Sequence, residues 1–311
     1  MIAGRERISV LLALGLFALV PFYGDSFYTA LAAKMMIFGL AALGVDVVVG
    51  WGGMISFGHA AFFGLGAYTV AVLSQAGLGD ALITWPAAML VAALFAAVIG
   101  ALSLKTRGAS FIMLTLAFAQ MLFYIVSSLP ALGSSDGLGL AKRNTLAGMT
   151  LDDIRRFYYA VLLLLVGALA LTRHLARSPF GRAVDGFRQN EPRMRALGYR
   201  ADSYLLPCFI YGSALTGLAG ALASNQMLFV APDMLHWITS GTFLVIIVLG
   251  GQRTLLGPLL GAAALILLEE VLAEITEHWM MILGPLLIAI ILFGSRGIAG
   301  LLRTESDEPT A

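Results

Sequence analysis

Unbroken apolar runs of about 18 to 25 residues recur along this chain, and each is long enough to cross a bilayer core as a helix. LITWPAAMLVAALFAAVIGAL (82–102) contains no charged residue. A helix packed on the core of a soluble domain would carry a polar stripe on its outer face, and these runs carry almost none. A transmembrane β-barrel would show short alternating segments instead. Charged residues make up 12% of the chain, against about a quarter in soluble domains, and the mean hydropathy is +0.91. The expected fold is an all-α polytopic integral membrane protein.

Ten apolar segments can be marked, near 8–23, 29–50, 54–75, 82–102, 109–129, 157–174, 204–229, 238–250, 256–274 and 279–295. The third is rich in glycine and the eighth is short, so either can be broken or re-entrant, which leaves eight to ten spanning helices. Residues 1–303 read as one membrane domain, with a long polar loop at 175–203, and 304–311 as a polar, disordered tail. Residues 1–23 also resemble a signal peptide, with Arg5 and Arg7 ahead of an apolar run. No small-x-small cleavage site follows, which favours a retained span.

Positive charge sets the expected orientation, because cytoplasmic loops carry the excess of Lys and Arg. With both termini inside, fourteen of the nineteen basic residues fall on the cytoplasmic side: Arg5, Arg7, Lys105, Arg107, seven arginines from 173 to 200, Arg253, Arg296 and Arg303. Lys142, Arg143, Arg155 and Arg156 fall outside, and Lys34 lies near the outer end of the second segment, close enough to snorkel. The net charge of +1 therefore reflects topology and gives no reason to expect nucleic acid. The single cysteine, Cys208, excludes an intramolecular disulfide and a multi-cysteine metal site. No GxxxxGK[ST], HExxH or CxxC occurs. The chain therefore has no P-loop for ATP hydrolysis, nothing in it resembles an enzyme site, and no cofactor is expected.

The loop SPFGRAVDGFRQNEPRMRALGYR (178–200) holds five arginines. It is too long for a simple turn. Ser178 before Pro179 is a helix N-cap with proline at the first helical position. Asn190, Glu191 and Pro192 repeat that grammar, and Gly198 suits a helix stop. Two short helices, 179–188 and 191–197, are expected. A basic anchor on anionic headgroups would explain the charge. A docking element for a soluble partner would also explain the two caps.

WGGMISFGHAAFFGLGAY (51–68) contains five glycines. They permit either close helix packing or broken backbone lining a cavity, as at transporter substrate sites. Ser56, Gly58, His59 and Gly64 are the candidates for a translocation path. His59 is an ionisable group at membrane depth, serving the path or bonded as a neutral ring to a neighbouring helix. Asp46 should be protonated, paired or near the inner interface. Gln120 and Asn225 can bond between helices, and Gly257 and Gly261 form a GxxxG packing pair.

Several blocks together resemble the M-type permease subunits of branched-chain amino-acid ABC importers. These are SPFGRAVDGFRQNEPRMRALGYRADSYLLPCFIYGSALTGLAGAL (178–222), GGMISFGHAAFFGLGAYT (52–69), LSLKTRGASFIMLTLAFAQ (102–120), SSDGL (134–138), VLGGQRTLLGPLLGAA (248–263) and SRGIAGLL (295–302). The resemblance implies a coupling helix seated in the ATP-binding subunit, a role that falls on Arg188, Gln189, Asn190, Glu191, Ala196, Leu197 and Gly198. It also implies a second homologous permease, two cytoplasmic ATP-binding subunits, a periplasmic binding protein that meets the 132–140 loop, and a place in the bacterial inner membrane. The substrate would be a branched-chain amino acid or a related small solute such as urea, an amide or an aromatic acid. The chain departs from the family's usual residues at Asp185, Gly186, Pro192 and Met194, at Gln252 and Arg253, and at Leu132 and Ser134. Arg253 is expected on the cytoplasmic side, near the same ATPase or at a headgroup. A standalone secondary transporter or channel is the competing reading. It would favour inverted repeats and paired mid-membrane ionisable groups, and only His59 stands out.

Overall fold

The computed structural model describes residues 14–22, 25–275 and 297–301, with positions 278, 281, 282, 284, 285 and 288 between the last two. Arg5, Arg7, Arg296, Arg303, most of the 279–295 segment and the 304–311 tail lie outside the described residues. The long helices are α1 (14–22), α2 (Ser26–Asp46), α3 (His59–Gln75), α4 (Ala81–Ser103), α5 (Ala109–Ser128), α6 (Ile154–Arg177), α9 (Asp202–Met227), α10 (Trp237–Gly250) and α11 (Gly257–Ile275). Two short helices, α7 (Pro179–Gln189) and α8 (Glu191–Ala196), join α6 to α9, and α12 (Gly297–Leu301) follows. A π-helical turn, Val47–Trp51, continues α2. Among the described residues five helices are long and apolar enough to cross a membrane: α2 with its π-turn, α4, α5, α6 and α9. This is an all-α membrane fold.

Helix α9 is the axis, with α2, α3 and α4 packed along it. Small residues set the spacing. A Cβ added at Gly44 would strike the Gly212 carbonyl, and one at Gly212 would strike the Gly44 carbonyl. The same holds for Gly66 against the Gly217 carbonyl and for Gly220 against the Phe63 carbonyl. Lipid tails are as apolar as the helices, so close backbone contact replaces the hydrophobic drive of soluble folding. Gly261 and Gly250 let α11 approach α10 in the same way, a Cβ on the first striking the Ile246 carbonyl and one on the second the Gly257 carbonyl. Helix α1 lies on α6, where Tyr158 Oη donates to the Phe17 carbonyl at 2.6 Å.

The helices alternate in direction, so the connections gather at two ends. One end holds the π-turn, the 104–108 loop, α7, α8 and the 251–256 turn. The opposite end holds 76–80, 129–153 and 228–236. There Leu138–Gly139 pairs antiparallel with Phe229–Val230, and Thr145–Leu146 forms a hairpin with Met149–Thr150. Arg143 fastens this cover to the bundle by donating to the Asn225 carbonyl (3.1 Å) and the Asp152 carbonyl (2.8 Å). The Asn225 side chain accepts from the Asn144 amide at 2.8 Å. It thus serves the end loop, where the sequence suggested a bond between helices.

The glycine seam predicts a stability effect. Gly66→Ala should destabilise the purified protein by about 2 kcal/mol, because the added methyl must displace backbone. Gly167→Ala, with nothing within 4 Å of its Cβ and a helix interior that favours alanine over glycine, should not lower the thermal midpoint in detergent. Equal midpoints for the two variants would contradict the seam.

Candidate functional site

The arginine-rich end is organised by the hairpin of α7 and α8. Both caps form as their local sequence dictates. Ser178 Oγ accepts from the Gly181 amide at 3.3 Å, and Asn190 Oδ1 accepts from the Arg193 amide at 2.9 Å. Pro179 and Pro192 sit in the first turns, where their missing N–H costs nothing. The helices run 179–189 and 191–196, within a residue of the expected bounds. Gly198 takes φ 88° and ends α8.

Helix α7 is anchored by one face. Ala183, Val184 and Phe187 are buried. Phe180 stacks on Tyr204 at the start of α9 (centroids 6.0 Å apart), and Phe187 and Tyr199 also meet that ring. A Cβ at Gly186 would come within 2.8 Å of Met194 Sδ, so these two departures from the family pattern touch and close the hairpin. The other face points away from the bundle, and Leu197, at the end of α8, is 65% exposed.

Two ionic contacts join the hairpin to distant loops. Glu191 pairs with Arg107 of the 104–108 loop and also with Arg195 at 2.7 Å. Asp185 accepts from Arg253 Nη2 at 2.8 Å, from Gln189 at 2.8 Å and from Arg188 at 3.3 Å. The Arg253 amide in turn donates to both carboxylate oxygens of buried Asp46, at 3.1 and 3.2 Å. A Cβ on Gly50 would collide with that carboxylate. Asp46 is therefore held by a backbone amide at the arginine-rich end.

Between the π-turn and α3 the chain leaves helical geometry over 52–58. The apolar run suggested a helix from about residue 54; the glycines delay it to His59. Broken backbone at membrane depth needs internal partners, and Ser240 of α10 supplies them. Its hydroxyl accepts from the Ala60 amide and donates to the Phe57 carbonyl, both at 2.8 Å. Ser56 Oγ accepts from the Gly58 amide at 3.1 Å. The π-turn's Val47 carbonyl accepts from the Cys208 thiol at 3.4 Å.

Ser56, Gly58 and His59 thus lie together. The His59 ring is fully buried, edge-on to Phe62 and Phe209 at centroid distances of 5.9 and 5.8 Å. The Ser56 backbone lies nearby, but neither ring nitrogen completes a hydrogen bond of ordinary geometry. Gly64 stands apart, against Leu235 on the opposite side of α3's first turns. Arg188 packs on Gly53, and a cavity of about 350 Å³ opens beside this contact, lined by Gly53, Ile55, Arg107, Phe111, Arg188 and Glu191 among others. Phe111 borders it and contacts Phe209 (6.3 Å), so these two rings stand between the cavity and His59. Among the described residues no three His, Cys, Asp or Glu side chains form a metal-binding group.

The sequence did not disclose Ser240, Phe111 or Phe209 as parts of this site, nor the partners of Arg107 and Arg253. Their contacts join residues far apart in the chain. The one available signal was that Asp185 and Arg253 both depart from the usual family residues.

The family of branched-chain amino acid transport system permease components matches residues 27–291. The chain belongs to this family. The permease is 28% identical to the high-affinity branched-chain amino acid transport system permease protein LivM of Salmonella typhimurium, over 97% of its own length and 76% of that protein. The same protein of Escherichia coli K12 is 27% identical over the same shares. The autoinducer 2 import system permease protein LsrC of Yersinia enterocolitica is 28% identical over 94% of the permease and 83% of the relative. No solved structure matches. The chain is a multi-pass membrane transport subunit and not an enzyme.

Ser240 gives a direct test of the broken segment. Ser240→Ala leaves the Ala60 amide and the Phe57 carbonyl buried without their partner and should cost about 2–4 kcal/mol. Thr242→Ala, which loses only an exposed bond to its own helix, should stay within about 0.5 kcal/mol of the parent. Thermal denaturation in detergent distinguishes them.

Proposed function

We propose that this permease is the membrane subunit of an ATP-driven ABC importer that receives a small solute from a periplasmic binding protein and releases it to the cytoplasm. The observation that carries the reading is the α7–α8 hairpin. It is rigid, doubly capped and anchored on one face, and it presents arginines and an exposed leucine on the other. A topological anchor needs charge but no defined fold. A lever between a soluble motor and the bundle needs both.

On this reading the arginine-rich end faces the cytoplasm of a bacterial inner membrane, in keeping with the positive-inside rule, and both chain termini lie on that side. Two ATP-binding subunits serve the complex. One receives Arg188, Gln189, Asn190, Glu191, Ala196, Leu197 and Gly198, and the other receives the matching hairpin of a second, related permease. ATP binding and release bias the equilibrium between inward-facing and outward-facing bundles, and the hairpin supplies the differential contact that such a shift requires. Ser56, Gly58, His59 and Gly64 line the path. The substrate is a branched-chain amino acid, a reading favoured by the LivM relatives, which align over nearly all of the permease. The LsrC relatives, named for autoinducer 2 import, make a different small solute the alternative.

Reconstitution tests the assignment. Liposomes holding the permease with its ATP-binding subunits and second permease should accumulate leucine only when ATP and a leucine-loaded binding protein are supplied. Uptake by this chain alone, driven by an ion gradient, would overturn the reading. Arg195→Pro removes an N–H within α8 and crowds the preceding turn. It should leave membrane insertion intact and abolish ATP-linked uptake.

A further inference from the structure

We propose that Arg253 is a positioning residue for energy coupling: a two-sided strut that ties helix α7 to the buried junction of α2 with the broken segment. The inference rests on the importer reading above and adds to it a specific mechanical connection. Through its amide, Arg253 binds both carboxylate oxygens of Asp46, at 3.1 and 3.2 Å. Through its guanidinium it binds Asp185 on α7 at 2.8 Å. Asp46 ends α2 and is followed directly by the π-turn, then by 52–58 and His59. A displacement of α7 is thus passed to the backbone that leads into the path, without going through the lengths of α6 or α9.

The backbone at this position argues that the side chain is kept for a reason. Arg253 has φ 62°, in the left-handed region that favours glycine. The bond to Asp46 uses only the amide, which any residue except proline supplies. Glycine would make that bond with less strain, so the Asp46 contact does not explain an arginine. Asp185 does. Both members of the pair are partly exposed, 43% and 34% at the side chain, where ion pairs add little to folding stability. The pair's role is therefore geometric. The turn that carries it is fixed from the other side as well, since a Cβ on Gly297 would come within 2.6 Å of Gly251, seating the start of α12 on the turn.

A second ionic contact, Glu191 to Arg107, reaches the 104–108 loop from α8. The two contacts differ in what they hold. Arg107 lies in a surface loop between α4 and α5. Of these two, Arg253 is the one also bonded to a buried carboxylate at the end of a spanning helix.

The test uses the reconstituted complex with leucine as the transported probe, and reads leucine taken up per ATP hydrolysed. Arg253→Gly keeps the amide to Asp46, relieves the left-handed strain and removes the side chain that carries the guanidinium. It is expected to match the parent in yield, thermal midpoint and binding of the ATP-binding subunits, while the coupling ratio falls by about fivefold or more. Asp185→Asn, which leaves the 251–256 turn untouched, is expected to produce the same loss. The exchanged pair, Asp185→Arg with Arg253→Asp, restores the contact with reversed charge, and aspartate tolerates the left-handed backbone; it should recover most of the ratio. An unchanged ratio in Arg253→Gly and Asp185→Asn, or a loss that the exchanged pair does not recover, overturns the strut. If the parent complex itself takes up leucine without ATP, the importer reading falls and the strut with it. The two failures are therefore distinguishable.

Discussion

The structure depends on how closely α2 and α3 approach α9. Glycine faces glycine at Gly44 and Gly212 and again at Gly66 and Gly217, and Gly220 meets the Phe63 carbonyl. In lipid no solvent drives helices together, so these seams and a few interior hydrogen bonds must hold the bundle. They also set where everything else lies. With α2 pressed on α9, the Cys208 thiol reaches the Val47 carbonyl of the π-turn, and Phe209 falls beside His59. With α3 pressed on the same helix, its first turn comes within reach of Ser240. The break in the backbone is tolerated because the close packing brings partners to it.

The hairpin at the arginine-rich end is built on different terms. Its ionic contacts are exposed enough that each adds about 0–1 kcal/mol at most to folding. What fixes it is local: two side-chain caps, proline in each first turn, and three aromatic rings gathered on Tyr204. The ionic contacts can therefore serve direction more than stability, linking a preformed lever to chosen loops. Beside the cavity beneath the lever, Arg188 packs on Gly53, so the lever also touches the broken segment directly.

What was legible in the sequence was what is decided locally. Apolar runs marked the helices, because length and composition alone determine whether a segment can cross a membrane. Ser178–Pro179 and Asn190–Pro192 announced α7 and α8, because a cap acts over three residues. Glycines in 51–68 signalled a break, although its extent, 52–58, required knowing that Ser240 lies 180 positions further on. Asp46 was recognised as needing a partner, but its partner, the Arg253 amide, is 207 positions away. Gly64 was legible as a glycine with a task, but its neighbour, Leu235, could be seen only in the fold. Asp185 and Arg253 each looked like an isolated departure, and only the fold shows them in contact.

The central claim is that force on the hairpin reaches the broken segment beside His59. A membrane-impermeant thiol reagent can report it. Cys208 is the only native cysteine, so Ser56→Cys in a Cys208→Ala background places one reactive thiol in that segment. In the complete reconstituted complex, the rate of modification at residue 56 should change when ATP replaces the nucleotide-free state, and the change should vanish when Arg195→Pro breaks α8. A rate at residue 56 that is the same in every nucleotide state, while leucine uptake proceeds, would contradict the claim.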